Sequence, residues 1–157
     1  MPKPLVSIIA MVTGVEAAGL ALASFPLIIE GLKIYLAGLE TIRRWRHYVK
    51  TLGDLVRRVS MERRKFKNTC TELLWDLVGA DELESLLESP GVSGWKDVQA
   101  SLRERLEHSF DDFLKAVIDM AERLNDLKEK LELNDNGKVS NDHLLDQQQC
   151  FVVLSYF

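Results

Sequence analysis

From Ile28 onward the apolar residues recur at steps of three or four: Ile28, Leu32, Tyr35, Leu39, Ile42, Trp45, Val49, Leu52, Val56 and Val59. That spacing lines one face of an α-helix, whereas a strand requires steps of two. The beat predicts long helices over 27–46 and 50–78, with the reversal between them at 43–53, where Gly53 is the weak helix former. One uninterrupted helix over that whole stretch would reach about 75 Å, too long for a compact chain of this size. Upstream, an apolar helix is expected over 5–24, with Pro26 removing a backbone donor and breaking the helix just before it.

Downstream, Gly79 is the expected cap of the second helix, and Asp81 followed by Glu84 reads as the N-cap of a short helix carrying Leu83, Leu86 and Leu87. Residues 89–94 (Ser-Pro-Gly-Val-Ser-Gly) read as a loop, with Trp95 folding back onto the core. A third long helix is predicted over 97–132 from the stripe Val98, Leu102, Leu106, Phe110, Phe113, Leu114, Val117, Met120, Leu124, Leu127 and Leu131. Ser109 followed by Asp112 allows a break near His108. The fold class is therefore all-α, a helical bundle of about four to six helices, with one domain over 1–134. Residues 135–157 are expected to form a poorly ordered tail.

The formal net charge of −4 hides an asymmetry. From Lys33 to Lys67 eleven Lys and Arg face Glu40, Asp54 and Glu62, whereas Glu72 to Glu132 holds sixteen acidic residues against seven basic ones. A basic helix packed beside acidic helices would account for this. So would a basic face that docks on anionic lipid or nucleic acid, and both readings stay open here.

Leu5–Ile29 is apolar enough to raise a leader or a membrane span. The helical pattern runs past Ala23 without a change of register, which a removable leader does not need. A span of roughly 20 apolar residues must include Glu16, at a cost on the order of 2.5 kcal/mol or more near mid-bilayer. Gly14, Ala18, Gly19 and Ala23 permit close helix packing in either solvent.

Candidate chemistry is sparse. His47, His108 and His143 have no partner at ligand spacing, and Cys70 and Cys150 form neither a disulfide framework nor a metal motif. A reducing, cytoplasmic setting is the default. Glu132 to Val139 begins like a calcium loop, but the position that needs a bidentate carboxylate holds His143, so no metal is expected. No catalytic residue and no cofactor site is expected either, and the chain is read as non-enzymatic. The sharpest functional candidates are Arg43, Arg44, Trp45, Arg46, Arg57, Arg58, Arg63 and Arg64, where Arg interleaved with Trp suits an anionic membrane interface. A solvated helix face is the competing account.

These same residues carry a resemblance. Glu16 to Leu22, Pro26 to Ile29, Gly38 to Trp45, and Phe66 to Cys70 with Leu73 and Leu74 resemble the N-terminal region of a large family of filamentous-fungal proteins, mostly uncharacterised. The likeness extends through Leu83 to Leu87, Pro90, Gly91 and Trp95 to Lys138. That region is in turn loosely similar to the HeLo and HeLo-like domains of fungal incompatibility and cell-death proteins. The resemblance implies a helical bundle whose apolar N-terminal helix enters membranes when the domain is activated by oligomerisation. It also implies a C-terminal region longer than the short stretch after Lys138. On this expectation the partners are a second copy and an anionic membrane, with Glu16 opposing insertion. A protein partner is the further class, as for a helical adaptor, and no nucleic acid is expected. The protein would be cytoplasmic and membrane-associated on activation.

Overall fold

The computed structural model describes residues 14–40, 46–88 and 92–133, and its regular elements are helices. In chain order they are α1 (Glu16–Glu40), α2 (Arg46–Leu74), α3 (Ala80–Glu88), α4 (Val92–Asp97), α5 (Gln99–Leu106), a 3-10 turn over Glu107–Ser109, and α6 (Phe110–Lys130). No strand is present among the described residues. The all-α, bundle-type architecture is the one that the period of the apolar residues predicts.

Several boundaries differ from expectation, each for a local reason. The apolar helix does not stop at Ser24: α1 runs from Glu16 to Glu40 with Pro26 inside it. An interior proline costs roughly 3 kcal/mol. Burial of Phe25, Ile28, Ile29 and Leu32 around it offsets that, since each large apolar side chain contributes about 1.5–3 kcal/mol. Gly53 is no turn; it lies within α2, with open space where a side chain would sit. The actual link, 41–45, lies outside the described residues.

α2 ends at Leu74 rather than Val78, because Asp76 takes a left-handed backbone (φ 68°) and closes the helix before Gly79 is reached. α4 begins at Val92, inside the stretch read as a loop. Trp95 is buried as expected, and its Nε1 donates to the Leu86 carbonyl at 3.3 Å. Gly94 permits this approach, since a Cβ there would come within 2.9 Å of Leu86 Cδ2. The third long helix is interrupted near His108, at the break that Ser109 followed by Asp112 allows; Glu107 has φ 45° there, and α5 and α6 take the place of one helix over 97–132.

The helices build two compact units, and α1, α2 and α6 each contribute a segment to both. The first takes the chain up to Ala23 and Phe66–Leu124. Its core holds Ala17, Ala18, Ala21, Leu22, Cys70, Leu74, Trp95, Leu102, Phe110 and Val117. Arg103 stacks over the Phe110 ring at 4.7 Å.

The second unit takes Ser24–Lys65 and the chain from Asn125. Its core holds Ile28, Leu32, Tyr35, Leu39, Leu52, Leu131 and Leu133. Here α6 ends in a Schellman motif: Leu133 N–H donates to Lys128 O (3.1 Å) and Glu132 N–H to Glu129 O (2.9 Å), with Glu132 at φ 51°. The motif turns Leu133 onto Gly31 of α1, while the Tyr35 hydroxyl donates to Leu131 O at 3.1 Å. The tail 135–157, the domain limit at 134, and with them Cys150, His143 and the calcium-like stretch beyond Leu133 lie outside the described residues.

Candidate functional site

Three surface features carry the functional question. The first is α1. Its 25 residues extend about 37 Å, more than the roughly 30 Å hydrocarbon core of a bilayer. Among the described residues it is the one helix long and apolar enough to cross a membrane. Glu16 sits at its first turn and is 7% exposed. The positive end of the helix dipole favours a carboxylate there. Beside it the Gln99 Oε1 accepts from Val15 N–H at 3.4 Å, and a side chain at Gly14 would collide with both Glu16 and Gln99. Within the described helix Glu16 stands at the N-terminal end, and residues 5–13 of the stretch read as apolar helix lie outside the described residues. The charges near the middle of α1 are Glu30 and Lys33, ion-paired at 2.6 Å on the exposed side.

The second feature is α2. Arg46, Lys50, Arg57 and Arg64, spaced by four and seven, form one exposed row; Arg58 and Lys65 form another. Met61, 51% exposed, lies between the rows. Arg63 does not join them: it is half-buried, seven residues after Val56 and four after Val59, on the apolar face. Arg43, Arg44 and Trp45 lie outside the described residues.

Neutralisation by the acidic half is limited. Arg57 pairs with Asp54 (3.4 Å) and Lys65 with Glu62 (2.9 Å) within single turns of α2, and Lys67 pairs with Glu88 of α3. Arg46, Lys50, Arg58, Arg63 and Arg64 form no ion pair among the described residues.

The third feature was not anticipated from the sequence. Where α2 meets α3, a cleft of about 370 Å3 is lined by Trp75, Val78, Leu83 and Leu87, with Asp76, Glu84 and the Lys67–Glu88 pair around it. Trp75 is 60% exposed. Its backbone is fixed on both sides: its N–H donates to Thr71 O at 2.9 Å, and its carbonyl accepts from Arg105 Nη1 at 2.6 Å. The signal available in the sequence was Leu73-Leu74-Trp75. Successive helical residues diverge by about 100°, so three in a row cannot all face one core.

Cys70 is the described thiol and is buried in the first unit, where desolvation pushes its pKa up to about 12. At neutral pH it is no nucleophile. No group of three metal-ligating side chains occurs among the described residues. Fold and surface together define an all-α helical bundle protein with, among the described residues, one apolar helix of membrane-spanning length. Beyond that class, no family model, no curated protein and no solved structure matches the chain.

Proposed function

We propose that this protein is a non-enzymatic signalling or cell-death module of HeLo-like type, in which α1 engages a membrane on activation and the basic rows of α2 draw the anionic surface. The observation that carries the reading is the character of α1. It has spanning length and apolarity, yet only 44% of its most apolar stretch is buried. At rest the helix is restrained. Withdrawing Phe25, Ile28, Ile29 and Leu32 from their packing costs about 1.5–3 kcal/mol each, so insertion needs an activating event, for which self-association is the natural candidate. Glu30 and Lys33 add a further barrier of about 2.5–3.5 kcal/mol each at mid-bilayer, lowered by their mutual pairing. The protein would reside in the cytoplasm and reach the membrane only when activated.

Dye release from anionic and neutral liposomes tests this with the full chain. The double substitution Glu30→Leu/Lys33→Leu is expected to increase leakage from anionic liposomes several-fold over the parent, with little effect on neutral ones. Folded protein that releases no dye in either form would overturn the reading.

The second reading is a helical adaptor that binds a protein partner and never leaves its packed state. It is favoured by the burial of Glu16 and by the complete burial of Ala17, Ala18, Ala21, Ile28 and Leu32, the pattern of a core helix.

A further inference from the structure

The geometry points to a contact between copies of this chain, in which the Trp75 cleft of one copy receives the Arg58–Met61–Arg64 surface of α2 from another. The cleft is apolar inside and acidic around. Trp75 lies largely open beside half-buried Val78, Leu83 and Leu87, an apolar surface whose burial is favourable and for which aromatic anchors are well suited.

Its surround selects the occupant. Asp76 and Glu84 form no ion pair among the described residues. α3 is strongly acidic, carrying Asp81, Glu82, Glu84 and Glu88 with no basic residue. The one cation lining the cleft, Lys67, is engaged by Glu88. An anionic lipid or nucleic acid is repelled by such a rim. The fitting occupant is a basic surface with an apolar side chain at its centre.

The described part of the chain itself presents that surface. Met61 stands exposed between Arg58 and Arg64, neither of which has an ion pair among the described residues. A flexible thioether adapts to an irregular apolar seat, and guanidinium groups match carboxylates in fork geometry. Cleft and strip are different surfaces, so a single contact leaves one cleft and one strip unfilled; a reciprocal two-fold pair fills both, and otherwise copies add until a ring closes or a filament grows. The contact needs no membrane and stands or falls apart from the reading of α1; because it occupies Arg58 and Arg64, these two face lipid only in copies whose strip is unfilled.

Sedimentation velocity on the full chain without lipid tests it, at roughly 0.05 M and 0.5 M salt, where the Debye length falls from about 14 Å to about 4 Å. The parent is expected to assemble with concentration, about tenfold or more weakly at the higher salt. Glu84→Arg and, separately, Arg64→Glu should each weaken assembly by about tenfold or more while leaving the helical circular dichroism and melting temperature unchanged. Trp75→Ala should weaken it as well. Mixing the Glu84→Arg and Arg64→Glu proteins should restore association, since each altered surface then finds its opposite. A parent that stays monomeric at low salt overturns the contact. Assembly indifferent to both charge reversals, or a mixture that fails to recover, does the same.

Discussion

Cys70 shows how one side chain reports on the whole first unit. Its thiol is held in apolar surroundings that push its pKa from 9.0 up to about 12, because the thiolate would lose its hydration there. The folded pKa is raised, so the unfolded chain releases its proton first. The stability tied to the buried neutral thiol is intact below pH 9 and is lost as pH climbs from 9.0 towards 12, by about 1.4 kcal/mol per pH unit within that window. Urea titrations of the parent and of Cys70→Ala over that range should therefore differ in slope, the variant lacking this loss. At pH 8 a thiol reagent should label Cys70 only as fast as the first unit opens. Gly31 makes a comparable point in the second unit. A Cβ there would come within 2.6 Å of the Leu133 side chain, and Leu133 is buried and fixed by the Schellman turn, so it has little room to yield. Gly31→Ala is expected to destabilise by about 1–3 kcal/mol, as overpacking does, measured by the same urea titration.

At the scale of the element, the periodic stripes were legible because the helical period is written directly into side-chain spacing. Ile28, Leu32, Tyr35 and Leu39 are buried along α1, and Val98, Leu102, Phe110, Val117, Leu124 and Leu131 along the later helices. What was not legible were the points where packing overrules a local rule or a backbone angle has no residue-type signature. Pro26 is the clearest of the first kind. The rule that proline ends a helix concerns one hydrogen bond and one ring, whereas the flanking apolar side chains answer to the core around them. Asp76 is of the second kind, with a positive φ that glycine usually supplies, whereas the break at Glu107 falls where Ser109 and Asp112 allowed one. The Trp75 cleft was missed because the stripe pattern marks the side chains that face a core, whereas Trp75, still bonded to Thr71 O at the end of α2, is the one of Leu73, Leu74 and Trp75 that the helical period leaves outside. Because α1 continues through Pro26, Pro26→Ala restores a donor to the Leu22 carbonyl. The gain expected is about 1–2 kcal/mol, the helix-interior penalty reduced by the proline's stiffening of the unfolded chain. Thermal melting should show it as an upward shift of roughly 2–8 °C.

For the molecule as a whole, the sign of the net charge misleads. A chain of net charge −4 would be expected to avoid an anionic surface. At physiological ionic strength, however, exposed charges more than about 8 Å apart are largely screened from one another, so a surface responds to the patch that faces it rather than to the sum. The rows on α2 are such a patch: cations recur from Arg46 to Lys65, over about 28 Å of helix. Those closed against Asp54 and Glu62 are local pairs that stay exposed to water and contribute little. Each basic residue near an anionic bilayer contributes about 1 kcal/mol. Arg58→Gln/Arg64→Gln should therefore weaken binding of the full chain to phosphatidylserine-containing vesicles by about 30-fold, and leave its weak binding to neutral vesicles unchanged. Raising the salt should weaken the parent more steeply than the variant, because the parent carries two more cations into the contact. Vesicle co-sedimentation at two salt concentrations reads both effects. Equal binding of parent and variant would mean that the α2 rows do not face the lipid, and the membrane reading would then rest on α1 alone.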